Sequence, residues 1–259
     1  MGNTSQVTYP RIVDTVYGRF YEVAESVYFP SVSTVTSYGT PLSFGVLKYI
    51  AKNADGDYEK YLKTETEALR VGTKAHDAVE KLIDGEEVII EKDPEVQKAV
   101  ISFTEWYNQY KPNVIASEEI LYNTVCKQGK YILPVAGRCD LVAEIENKFG
   151  ETDLWLIDFK TSKNPRDPKN QIQLTFYAWL WNLNNDRKID RLGIVSLKKD
   201  FAGVKPGKTA KLMIEFNYDK TLAICALKMF NHFYEAYDRK GNPKVKPKLA
   251  TKFILGSYE

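Results

Sequence analysis

Apolar and polar positions divide the chain into a strand-rich opening, a helical stretch, a compact group of strands and a closing helix. Residues 6–29 are rich in Val, Tyr and Phe with charges between them, which predicts an early strand or hairpin. Pro30 followed by Ser31, Ser33 and Thr34 signals the start of a helix or tight turn. Helical patterning covers residues 42–52 and 57–83, and Asp93-Pro94 opens another helix that closes before Lys111-Pro112. Residues 114–122 read as a strand. Residues 137–162, GRCDLVAEIENKFGETDLWLIDFKTS, carry two apolar-rich stretches around a polar turn with Gly150, the pattern of a β-hairpin. After the loop KNPRDPKN, residues 171–185 predict a helix with Ile172, Phe176, Trp179 and Leu183 as its core face. Strands follow at 191–198 and 211–218, then an amphipathic helix at 220–237 and a basic, proline-containing tail, KGNPKVKPKLATK. Helices before, between and after strands predict an α/β fold around a mixed sheet.

Candidate chemistry concentrates in the hairpin. Asp158 and Lys160 are two residues apart in one strand, so they project from the same face. Asp158 ends the apolar run Leu154-Trp155-Leu156-Ile157, and an acid at the end of a buried strand needs a reason. The first hairpin strand adds a second carboxylate, Asp140. Two carboxylates beside a lysine suit hydrolysis of a phosphodiester by a metal-activated water. Asp140 and Asp158 are the expected ligands of Mg²⁺ or Mn²⁺. Lys160 is expected to orient and help deprotonate the water or to stabilise charge on phosphorus, with its pKa lowered by burial beside the ion. An exposed salt bridge would explain the Asp-x-Lys tripeptide alone equally well.

Further residues extend the pattern: Gly137 ahead of Asp140, Gln173 and Tyr177 four apart on one helix face, and Gly72-Thr73-Lys74-Ala75-His76 upstream. Taken together, residues 29–235 resemble the RecB-type branch of the PD-(D/E)XK nucleases, nearest in pattern to the mitochondrial genome maintenance exonuclease and its phage and bacterial relatives. The resemblance implies a restriction-endonuclease-like core with an N-terminal helical cap. As a single domain, residues 1–112 would hold the early strands and cap, 113–219 the catalytic core, and 220–259 the last helix and tail. It implies that His76 supports a metal, that the backbone carbonyl of Phe159 is a ligand, and that an acid near Glu118 joins them. Glu119 is the alternative, because a one-residue slip exchanges the two. It also implies that Gln173 and Tyr177 flank the site and touch DNA, and that Ser31 and Ser33 lead toward DNA phosphates. Ordinary capping accounts for the serines too. Cys139 stands where the motif's name has proline. Glu80, one turn after His76, is placed to hold its imidazole. Lys163, Arg166 and Lys169 lie in the loop after the second hairpin strand, where they can meet phosphates. His232 matches nothing and reads as a surface residue.

Composition changes the picture little. A hydrophobic content of 44% builds a sizeable core, and a net charge of +2 neither announces nor excludes a nucleic-acid groove. The three cysteines, Cys126, Cys139 and Cys225, have no metal-ligand spacing, so no iron–sulfur cluster is expected. No membrane span, signal peptide or myristoylation motif is apparent, which suggests a cytoplasmic protein of a bacterial or phage-infected cell. The expected activity is that of an Mg²⁺- or Mn²⁺-dependent exonuclease on single-stranded DNA ends, in replication, recombination or repair. Residues 40–111 would arch over the site, and Trp106, Tyr107 and Tyr177 would stack unpaired bases. A structure-selective or restriction-type endonuclease and an inactive DNA-binding scaffold are the alternatives.

Overall fold

A five-stranded mixed sheet carries the site. In a computed structural model it is built from β4 (Asn113–Tyr122), β7 (Ala136–Glu146), β8 (Thr152–Lys160), β9 (Arg191–Ser196) and β10 (Met213–Phe216), in the order β10-β9-β8-β7-β4. β8 and β9 are parallel and the other pairs antiparallel. The structure describes residues 8–15, 18–41, 47–48, 51–52, 57–90, 92–123, 125–127, 130–131, 133–162, 164–197, 213–233, 253–254 and 257–258. Lys163 and the basic tail, 240–252, lie outside the described residues, as does most of the helix expected at 42–52; residues 47–48 and 51–52 are helical.

The opening segment folds into more than a hairpin. β1 (Arg11–Thr15), β2 (Gly18–Ala24) and β3 (Val27–Pro30) form a separate antiparallel sheet in the order β1-β2-β3. Ser31 then caps the short helix α1 (Val32–Tyr38), its hydroxyl accepting from the Thr34 N–H. Two further two-stranded pairs, unanticipated from the sequence, are β5 (Cys126–Lys127) with β6 (Lys130–Tyr131) and β11 (Phe253–Ile254) with β12 (Ser257–Tyr258).

Local signals fix the longer helices. α2 (Tyr58–Ile83) starts at Asp57, whose carboxylate accepts from the Glu59 and Lys60 N–H groups, and stops before Gly85 at φ +81°. α3 (Pro94–Tyr110) has Pro94 in its first turn and ends at Lys111 in the left-handed conformation. α4 (Pro168–Asn184) is capped by Asp167, and α5 (Lys220–Phe233) closes the core. Two helical layers sandwich the sheet. Ala75, Val79, Ala99, Phe103 and Trp106 of α2 and α3 pack on one face, against Leu141, Ala143, Ile157 and Phe159. α1, α4 and α5 pack on the other, against Cys139, Val142, Leu154 and Leu156.

α4 departs from the one-sided helix that its apolar spacing suggests. Every residue from Leu174 to Trp181 is buried, while Leu183 is exposed. The sheet lies on one side of α4 and α1 and α5 on others, so the middle of the helix has no solvent face.

Candidate metal and catalytic site

The site forms where the β4–β7 ladder breaks its alternation. Cys139 and Val142 belong to the core on the α4 side, so Asp140 and Leu141 between them both fall on the opposite side. Directly across, Glu118 adopts φ +51°, a left-handed conformation that is uncommon for a residue with a side chain. Ser117 still pairs with Leu141 and Glu119 with Cys139, so the register is kept through the irregularity. The paired kinks turn both carboxylates, Glu118 and Asp140, toward α2. His76 comes from that helix, one residue beyond the buried Ala75. Ligand atoms of His76, Glu118 and Asp140 lie within 4.8 Å of one another. Glu119 is exposed, and Glu118 is the one of the two acids that lies beside His76 and Asp140.

Asp140 and His76 are held in place by the end of β8. Asp140 Oδ2 accepts from the Phe159 N–H at 2.8 Å, and the His76 Nε2–H donates to the Phe159 carbonyl at 2.9 Å. His76 Nδ1 then faces Asp140 Oδ2 at 3.5 Å. With its proton on Nε2, a neutral imidazole presents a lone pair there to a carboxylate oxygen, an arrangement that a bound cation would make favourable. Glu80, expected to hold the ring, is not among these partners; Phe159 and Asp140 take that role. The carbonyl of Phe159, expected as a metal ligand, already accepts from His76 and has one lone pair left for an ion.

Asp158 and Lys160 occupy the other side of β8, as their spacing predicts. The Lys160 ammonium is 2.7 Å from Asp158 Oδ2. Gln173 of α4 donates through Nε2 to Asp158 Oδ1 at 3.1 Å and to the Tyr177 hydroxyl at 3.2 Å. Gly137 is what allows α4 so near. A Cβ at that position would sit 2.5 Å from the Tyr177 ring and 2.9 Å from Val32, too close for any side chain.

Burial sets the electrostatics. Desolvation and the neighbouring Asp140 push the Glu118 carboxyl up to about 7, despite the Arg138 guanidinium beside it. Desolvation likewise pushes Asp158 up to about 6, with the attraction of Lys160 opposing it and Asp140 adding to it. Burial pulls Lys160 down, but the charges of Asp158 and Asp140 outweigh it and its pKa is raised. Both carboxyls therefore favour the folded state when protonated. Their contribution to stability falls as pH rises from their ordinary values of 4.5 and 3.8 through about 7 and about 6. A donor set of one imidazole and several carboxyls, with Glu118 and Asp158 raised in pKa, fits a divalent cation.

Other expected site residues fall elsewhere. Ser31 is buried and its hydroxyl is engaged in the α1 cap, bonding to Ser33 and Thr34; Ser33 is exposed. Trp106 is fully buried against Phe103 and Phe159, and Tyr177 is buried with its hydroxyl on Gln173, so neither is free to stack on a base. Core packing claimed both rings, the commoner fate of aromatics. Tyr107 is half-buried, Arg166 is exposed, Lys169 lies in the first turn of α4 and His232 is exposed. Sequence reading passed over Arg138, whose Nε lies 2.6 Å from Glu118 Oε2. Its signal was its position two residues before Asp140, on the hairpin strand.

The family model described as the PD-(D/E)XK nuclease superfamily matches residues 40–247. The chain belongs to the PD-(D/E)XK nuclease superfamily. That range contains His76, Glu118, Asp140, Asp158, Lys160, Gln173 and Tyr177. Similar solved structures include the one titled "Crystal structure of SSO0001", at 15% identity and a TM-score of 0.36, covering 78% of this chain and 74% of that one. No curated protein matches the chain in sequence. Membership of this superfamily implies a nuclease that hydrolyses phosphodiesters with divalent metal ions, and the fold has the mixed sheet expected of it. Among the described residues, no helix is long and apolar enough to cross a membrane.

His76→Ala should weaken divalent-metal loading by about 10- to 100-fold, with partial rescue of activity by excess Mn²⁺. Metal titration followed by calorimetry checks this, and an unchanged affinity would return His76 to a purely structural role.

Proposed function

We propose that the protein is a metal-dependent DNA exonuclease acting on single-stranded ends, of the RecB-type branch that includes the mitochondrial genome maintenance exonuclease, in replication, recombination or repair. The observation that carries the reading is the meeting of His76, Glu118 and Asp140 beside the Asp158–Lys160 pair at the end of the sheet. His76, Glu118, Asp140 and Asp158, with the Phe159 carbonyl, would hold Mg²⁺ or Mn²⁺. Such an ion supplies a water of lowered pKa and neutralises phosphate charge. Lys160, held as an ammonium by Asp158, orients the attacking water and screens the charge gathering on phosphorus. Gln173 keeps Asp158 turned toward the site by donating to its Oδ1, and Tyr177 braces Gln173. Water adds to phosphorus as the bond to the 3′ oxygen breaks, leaving a 5′-phosphate and a 3′-hydroxyl.

Support for single-stranded ends comes from α2. From residue 59 to 70 the helix has no buried residue, and at Val71 it enters the core that carries His76. A long exposed half-helix leading into the site can cover it, and a covered site accepts a flexible strand end more readily than a rigid duplex. The test compares a linear single strand with the same sequence closed into a circle. The linear strand should be degraded and the circle spared. Equal digestion of both would favour an endonuclease on the same fold.

A further inference from the structure

One cation beside the site has no part in the chemistry above. Arg138 lies on β7, on the same side as Ala136, which packs on Tyr21 and Phe29 of the three-stranded sheet. Its Nε reaches Glu118 at 2.6 Å, yet the side chain keeps 44% of its exposure. The pairing leaves the guanidinium partly open to solvent beside the site. Among the described residues, Glu118 is its one ion-pair partner. Lys160 is the other cation at the centre, but its ammonium is held by Asp158 and its side chain is only 23% exposed. A guanidinium fork matches two phosphate oxygens at once, which an ammonium does not.

The surroundings extend this cation into a strip. Buried Tyr21 lies in the field of both Arg138 and Arg19. Arg19 is on β2, half-exposed, and among the described residues its guanidinium pairs with exposed Asp14. Ser31 connects the two regions, taking the Arg19 carbonyl as its backbone acceptor and bridging to Ala136 of β7. Glu118 thus has His76 of α2 as one neighbour and Arg138 as another, with β2 and its Arg19 joined to β7 through Ser31.

We infer that Arg138, with Arg19 beyond it, is a phosphate-binding strip that holds the nucleic-acid backbone next to the scissile position, Arg138 resting on Glu118 until substrate arrives. This rests on the nuclease reading of the same site. The strip recognises the phosphodiester backbone and not bases, so it is indifferent to sequence.

The experiment uses the full chain carrying Asp158→Asn, in chelator without metal, and a fluorescein-labelled oligothymidylate read by anisotropy across a salt series. Arg138→Gln is expected to weaken binding about tenfold and to reduce the slope of log affinity against log salt by about 0.7, the value for one phosphate contact on a single strand. Arg138→Lys should restore the slope but only part of the affinity. Arg187→Gln, which removes a cation paired with Glu144 at the far end of β7, should change neither. Glu118→Gln should strengthen binding, and that gain should vanish in the Arg138→Gln background. The vanishing distinguishes release of Arg138 from mere loss of a repelling charge. If Arg138→Gln bound as tightly and with the same slope as its parent, the strip would be overturned while the nuclease reading stood. If the parent bound no oligonucleotide at low salt, the nucleic-acid reading and the strip would fall together.

Discussion

Asp158→Asn is expected to lower the rate of DNA cleavage by about 1,000-fold or more while leaving the fold and DNA binding in place. The substitution keeps size and the acceptor for Gln173, and removes the negative charge at the place where the ion and the lysine meet. A metal site supplies several kcal/mol of transition-state stabilisation, and each 1.36 kcal/mol is a factor of ten in rate. Stability should not fall in step. Burial already disfavours the ionised form of Asp158, holding its carboxyl at about 6, so a neutral amide relieves a cost at neutral pH. Single-turnover cleavage and thermal melting of the same preparation check both halves. Near wild-type cleavage in Mg²⁺ would remove Asp158 from the site.

Lys160→Ala is expected to cost about 100- to 1,000-fold in the chemical step, the range for one preorganised donor facing transition-state charge, with metal affinity nearly retained. The lysine touches Asp158 and none of the His76–Glu118–Asp140 cluster. Removing it also lifts the attraction that opposes the raised pKa of Asp158, so the residual activity should depend on pH over a higher range than in the parent. A calorimetric metal titration beside single-turnover rates separates the two effects. Loss of metal binding with the chemical step intact would assign Lys160 to holding the ion.

The sequence revealed the frame of this site because that frame is local. Gly150 sits at φ +79° in the turn its neighbours predicted, and the two-residue spacing of Asp158 and Lys160 did place them on one face. Asp57, Pro94 and Gly85 mark helix ends where capping chemistry puts them. Strand periodicity could not reveal the paired irregularity at Glu118 and Asp140. Alternation read through position 140 gives the wrong side for either Cys139 or Leu141, and only the packed cores on both faces show the slip. The aromatics failed for a related reason. Trp106 and Tyr177 follow helical spacing whether they face a base or a core, and the sheet supplied the core. Arg138 offered only its place two residues before Asp140, because its partner, Glu118, is a neighbour through the β4–β7 ladder and not along the chain.

The most direct test of the account is hydrolysis of a labelled linear single strand measured against Mg²⁺ concentration, in the wild-type chain and in Asp140→Asn. The account predicts no cleavage in chelator, a saturable rise with Mg²⁺ in the wild type, and a far weaker response in the variant, because Asp140 lies between His76 and the end of β8. Cleavage that persisted in chelator, or that rose equally with Mg²⁺ in both proteins, would contradict it.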